Sequence, residues 1–122
     1  MDTQTTNNTE MAIVGAALDY YEGWFDARPD RMERALHPEL AKRSIEPDES
    51  IKTLSARQMI DATAEGFGRR QDPGDRNIRV HVDHVHDSIA TATVTSAVYV
   101  DYLQLARIGT EWKILNVLWA RA

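Results

Sequence analysis

The chain contains no cysteine. That excludes disulfides, thiolate zinc sites, iron–sulfur ligation and a cysteine nucleophile together. It has no apolar run approaching the ~20 residues that a membrane-spanning helix needs. It also lacks an excess of basic charge: 14 Lys and Arg against 19 Asp and Glu give a net charge of −5. This balance argues against a nucleic-acid backbone or an anionic membrane as the main partner. The basic segment around Arg69, Arg70, Arg76 and Arg79 is interrupted by Asp72 and Asp75 and has no stacking aromatics, so it reads as a solvated loop. Met1–Glu10 is polar, with neither a basic start nor an apolar stretch. No signal peptide is expected there, and a cytoplasmic location is. What is present is an ordinary globular balance, 43% hydrophobic and 27% charged over 122 residues. That is the size of one domain with a core of its own.

Residues 1–10 predict a flexible polar tail, with Thr9 as a helix N-cap, and residues 11–122 a single domain. Over Met11–Asp26, Ile13, Val14, Ala17, Leu18, Tyr21, Trp24 and Phe25 recur at helical spacing and predict a first helix. Arg28-Pro29-Asp30 stops it, and Arg31–Leu36 predicts a short second helix ended by His37-Pro38-Glu39. Leu40–Glu46 and Ile51–Leu54 predict a small hairpin. Ser55 then caps a third helix, Ala56–Phe67, whose inward stripe is Met59, Ile60, Thr63, Ala64 and Phe67. Beyond a loop at Asp72-Pro73-Gly74-Asp75, strands are predicted at Ile78–His86, Ile89–Thr95, Val98–Ile108 and Glu111–Arg121. Helices first and strands later define an α+β fold: three helices followed by an antiparallel meander.

The stretch from Asp101 to Trp119, read as Asp-Tyr-Leu-x-Leu, a basic residue, a Gly turn, then Trp-Lys-Ile-x-Asn and a final aromatic, resembles the signature of the putative lumazine-binding family. That family lies within the nuclear transport factor 2-like superfamily. Tyr20-Tyr21-Glu22-Gly23-Trp24 and Leu36-His37-Pro38-Glu39 agree with it. The resemblance implies a strongly curved sheet wrapped around three N-terminal helices as a cone. It further implies a deep apolar pocket at the open end and homodimers formed through the sheet. Its activities are varied, from isomerases, dehydratases and cyclases to binding and scaffold modules, so the fold does not choose among them.

Asp101 shares strand parity with Tyr99, Leu103 and Leu105, an otherwise apolar face. Desolvation there penalises the charged carboxylate and favours a neutral donor. The resemblance places Asp101 where ketosteroid isomerases carry their protonated oxyanion-hole Asp, and Tyr21 where they carry its partner. The base of those enzymes has no counterpart, because Ala41-Lys42-Arg43-Ser44 holds no carboxylate. The resulting expectation is a module binding a small apolar or aromatic ligand, without a cofactor; an enzyme with Tyr21 and Asp101 as oxyanion donors is the alternative. The ligand-binding candidates are Tyr21, Trp24, Tyr99, Asp101, Leu103, Asn116 and Trp119. Trp112 and Trp119 have opposite parity on a regular strand, so one faces the pocket side and the other outward. His81 and Asp83 share a face and form a candidate acid–base pair, the Asp fixing the imidazole tautomer. His84 and His86 share the opposite face, so at most two of these groups aim at one point and no metal site is expected.

Overall fold

The computed structural model of the chain describes residues 3–70 and 72–122. Its element order is α1 (Thr3–Phe25), α2 (Pro29–Ala35), β1 (Leu36–Ile45), β2 (Ile51–Ser55), α3 (Ala56–Ala64), β3 (Arg79–His86), β4 (Ile89–Thr95), β5 (Tyr99–Ile108) and β6 (Glu111–Arg121). The strands form one sheet in the order β2-β1-β6-β5-β4-β3. β3 to β6 are the antiparallel meander that the sequence predicts. β1 joins it by pairing parallel to β6, and β2 returns antiparallel along β1. The sheet curves around the helices without closing, and its inner face carries the core: Val94, Leu103, Leu105, Ile114 and Val117 meet Ile13, Ala17, Phe25 and Met32. Burying a side chain such as Phe25 or Ile114 is worth roughly 1.5–3 kcal/mol.

Two helix ends differ by three residues or more from the sequence reading. α1 begins at Thr3, so Thr9 lies inside the helix and is not its N-cap; residues 1 and 2 lie outside the described residues. The polar segment has no core-facing stripe to announce it, and it extends a helix that the apolar stripe farther on nucleates. The third helix ends at Ala64, leaving Phe67 73% exposed where an inward position was predicted. Its start is as the sequence suggests. The Ser55 hydroxyl accepts from the Gln58 amide at 3.1 Å, and the Gln58 side chain accepts from the Ser55 amide at 2.8 Å, a reciprocal capping box.

Three irregularities bend the sheet and change which residues face inward. His37-Pro38-Glu39 follows the end of α2 as expected but lies within β1, where the register with β6 jumps between Leu36 and Ala41. Proline cannot donate to a ladder and fits such a break. In β6, Leu105 pairs with Ile114 but Gln104 pairs with Asn116, so Leu115 is the extra residue. In β3, Val82 pairs with Ala92 and His84 with Thr91, so Asp83 is the extra residue. Each bulge inverts the alternation beyond it.

α1 and α2 are tied by charge. Asp19 accepts from Arg31 at 2.9 Å and from Arg34 at 2.8 and 2.9 Å, and these hydrogen bonds, that of Arg34 first, hold its carboxyl below the usual range. The basic loop is not wholly solvated either. Arg76 is buried, bonds Asp26 at 2.6 Å and lies over the Phe25 ring, which fastens the loop to the end of α1.

Helix ends α1 and α3 close in the same way, with the amide three residues past the last helical one reaching back five residues: Arg28 to Gly23 at 2.8 Å, and Phe67 to Ala62 at 3.2 Å. The intervening residue must take a left-handed conformation. At α3 it is Gly66, φ 80°, but at α1 it is Ala27, φ 55°. Ala27→Gly should therefore raise unfolding stability by about 0.5–1 kcal/mol in urea titrations. A loss of stability would show that Ala27 carries no strain there.

Candidate functional site

The inner face of the sheet and the helices enclose a cavity of about 410 Å³ at the end where α1 terminates. α1 contributes Tyr20, Tyr21, Trp24 and Phe25, β1 contributes Lys42, and β5 and β6 contribute Tyr99, Asp101 and Trp119. Met59, Ala62 and Leu54 close one side, while Lys52, Gln58, Phe67 and Arg121 complete the lining.

Asp101 is 2% exposed. Its two oxygens take hydroxyls from consecutive residues of α1: Tyr21 donates to Oδ1 at 2.5 Å and Tyr20 to Oδ2 at 2.7 Å. Burial, then the neighbouring Asp101 carboxyl, pushes both phenols well above their ordinary range, so both remain neutral donors. The Tyr21 oxygen also lies 3.3 Å from the Val94 carbonyl. The expectation of Tyr21 and Asp101 as two donors converging on an open position is thus corrected. The two groups are together, but their hydrogen bond is to each other, and Tyr20 completes it.

Lys42 is the neighbour that sequence reading missed. Its chain is buried and its Nζ lies 5.0 Å from the Tyr20 ring centroid, 5.0 Å from Trp119 and 5.8 Å from Trp24. Burial lowers the ammonium from its ordinary 10.5 to about 8, and the Asp101 carboxyl opposes part of that fall. Among the described residues no carboxylate is bonded to it. The rings supply cation–π attraction in place of a counter-ion.

The aromatic wall is fixed by close packing. The Trp24 indole donates to the Tyr99 hydroxyl at 3.2 Å. Gly68 lies against that indole, and any side chain at position 68 would collide with it. Tyr99 stacks at 15° on Phe25 and meets Trp119 edge-on at 5.5 Å. These contacts hold the rings in one arrangement rather than several.

Of the ligand-binding candidates, Tyr21, Trp24, Tyr99, Asp101 and Trp119 line this cavity. Leu103 is on the inner face but lies in the core. Asn116 is on the opposite face, bonded to Gln104 at 3.1 Å, because the bulge at Leu115 shifts the parity. For the same reason Trp112 and Trp119 both point inward, where opposite faces were expected. The bulge at Asp83 likewise puts His81, His84 and His86 on the outer face together. His81 is 79% exposed there, 3.6 Å from Asp83, whose other oxygen accepts from Thr93 at 2.8 Å. The pair stands on the other face of the sheet and is not part of the cavity lining. Among the described residues no group of three His, Asp or Glu is placed to hold a metal. No described helix is long and apolar enough to cross a membrane.

A curved, open sheet around three helices, with a cavity at one end, is the nuclear transport factor 2-like cone. The chain belongs to the putative lumazine-binding family, whose model matches residues 8–120. Solved structures show the same fold at low identity. A nuclear transport factor 2-like protein of unknown function from Silicibacter pomeroyi has a TM-score of 0.77 at 12% identity, over 96% of this chain and 98% of that one. One from Shewanella baltica has a TM-score of 0.70 at 14%, over 94% of each. A cystatin-like fold protein from Burkholderia xenovorans has a TM-score of 0.62 at 16%, over 91% of this chain and 89% of that one. A search of curated protein sequences gives no match.

A buried ammonium with no counter-ion costs folding energy. Lys42→Met should therefore be the more stable protein at pH 7, by on the order of 1–3 kcal/mol. The sign follows from a folded value of about 8 below the ordinary 10.5. Between those values the unfolded chain binds more protons, so native stability rises with pH and the variant's advantage fades. Paired urea titrations at neutral and high pH check this; an advantage that persists above pH 10.5 would contradict it.

Proposed function

We propose that the protein binds a small molecule with a planar ring system in the cavity between α1 and the inner sheet face, and that binding rather than catalysis is its role. The observation that carries this reading is the fixed aromatic wall of Trp24, Tyr99 and Trp119 around a buried polar floor. A ligand site is typically apolar with a few placed polar groups, and a volume of about 410 Å³ suits a ring system with substituents. Membership of the putative lumazine-binding family supports a ring-shaped ligand. The enzymatic alternative has less support, because the Tyr21 hydroxyl is bonded to Asp101 and His81 and Asp83 stand on the other face.

The test is tryptophan quenching by lumazine, a planar heterocycle, since both Trp24 and Trp119 line the cavity. Saturable quenching is expected in the native protein and its loss in Ala62→Trp, which fills the space. Equal quenching in both would place the ligand elsewhere, and native mass spectrometry showing no ligand on the purified protein, together with no quenching, would reject the reading.

The outer sheet face supports a homodimer. Tyr102 and Leu118, direct cross-strand partners on β5 and β6, are 59% and 49% exposed. They line a concavity that also holds Arg43 and Asp83, opposite charges that a two-fold axis would bring together. Sedimentation equilibrium should give twice 13.8 kDa, and Tyr102→Asp should give the single chain. A single-chain mass for the native protein at micromolar concentration would exclude the dimer.

A further inference from the structure

We infer that the ligand of this cavity carries a carboxylate, or an equivalent single negative charge, and that Lys42 is the residue that binds it. The inference rests on the ligand-binding reading above and specifies its chemistry. The charges facing the cavity are unequal. Among the described residues Lys42 stands on β1, Lys52 on β2 and Arg121 on β6, against the single acid Asp101 on β5. The chain as a whole has a net charge of −5, so this local excess of cations runs against its composition.

The one acid is already engaged. Both oxygens of Asp101 accept tyrosine hydroxyls, and α1 lines the cavity with those neutral phenols, Trp24 and Phe25, none of them charged. Gln58 is the polar contribution from α3. Lys42 is therefore left with rings on three sides and nothing anionic bonded to it among the described residues. Its ammonium has three donors, and cation–π contacts satisfy none of them as a hydrogen bond does. Burial of an ammonium in this state is unfavourable unless a partner arrives. A ligand carboxylate would supply that partner in a desolvated setting, where a charge-assisted hydrogen bond is strongest. The rings that surround Nζ would then flank the ligand's ring system, with its acidic end at Lys42. Lys52 and Arg121 would steer the anion inward.

Calorimetric titration with 2-naphthoate and 2-naphthamide, a matched acid and neutral amide, tests this at pH 7. The native protein should bind the acid at least tenfold more tightly than the amide. Lys42→Met should bring the two affinities to within about twofold, with amide binding retained as proof that the cavity is intact. Equal affinities in the native protein would overturn the inference while leaving the ligand-binding reading in place. So would an acid preference that survives in the Met variant, because Lys52 or Arg121 would then carry it. Binding of neither probe would remove the ligand-binding reading and this inference with it.

Discussion

The hydrogen bonds from Tyr20 and Tyr21 to Asp101 set the distance between α1 and the sheet, and the cavity depends on that distance. Adjacent residues on a helix point about 100° apart, so two neighbouring tyrosines reach one carboxyl only if it lies between their directions. The rings meet edge-on at 5.5 Å and leave their hydroxyls on either side of Asp101. A carboxyl on an apolar inner face is costly unless its oxygens are satisfied. Here both are, by neutral donors that burial prevents from ionising. The link spans about 80 residues of chain and joins the first helix to the penultimate strand.

Around that link, packing and vacancy are set against each other. Phe25, Tyr99 and Trp119 interlock, Trp24 rests on Gly68, and the core beneath is filled by aliphatic side chains. Lys42 breaks the pattern, since an aliphatic residue at that position would serve the fold better. Natural sequences depart from local stability rules chiefly at functional sites. The combination of a well-braced wall and an uncompensated cation is what distinguishes the cavity from an ordinary packing defect. It also separates this site from the oxyanion-hole arrangement: the acid here is an acceptor held by the helix, and the group left without a partner is a base.

The element order and the inward faces of regular segments were legible in the sequence because periodicity reports burial directly. Asp101, Tyr21, Trp24 and Tyr99 were found that way. Bulges were not legible. One extra residue at Leu115 reversed the assignment of Asn116 and brought Trp112 and Trp119 to the same face; another at Asp83 did the same for the histidines. No composition signal marks either site, and counting alternate residues assumes a regular strand. Tyr20 was missed because a helical stripe nominates one of two neighbours, whereas the acid between them uses both. Lys42 was missed because a charged residue on a short strand reads as solvated unless the rings that cover it, which come from α1 and β6, are known. The long start of α1 was hidden by its polarity.

The coupling between Tyr20 and Asp101 is the most direct test of this account, measured as a double-mutant cycle in urea unfolding with Tyr20→Phe, Asp101→Leu and the double variant. Each single change leaves a buried polar group without its partner, whereas the double change removes both groups together. The account predicts that the double variant loses less stability than the sum of the singles, with a coupling of about 1–3 kcal/mol. Additive losses, agreeing within about 0.5 kcal/mol, would show that the hydroxyl and the carboxyl do not act as a unit, and would contradict the claim that this link holds the first helix over the cavity.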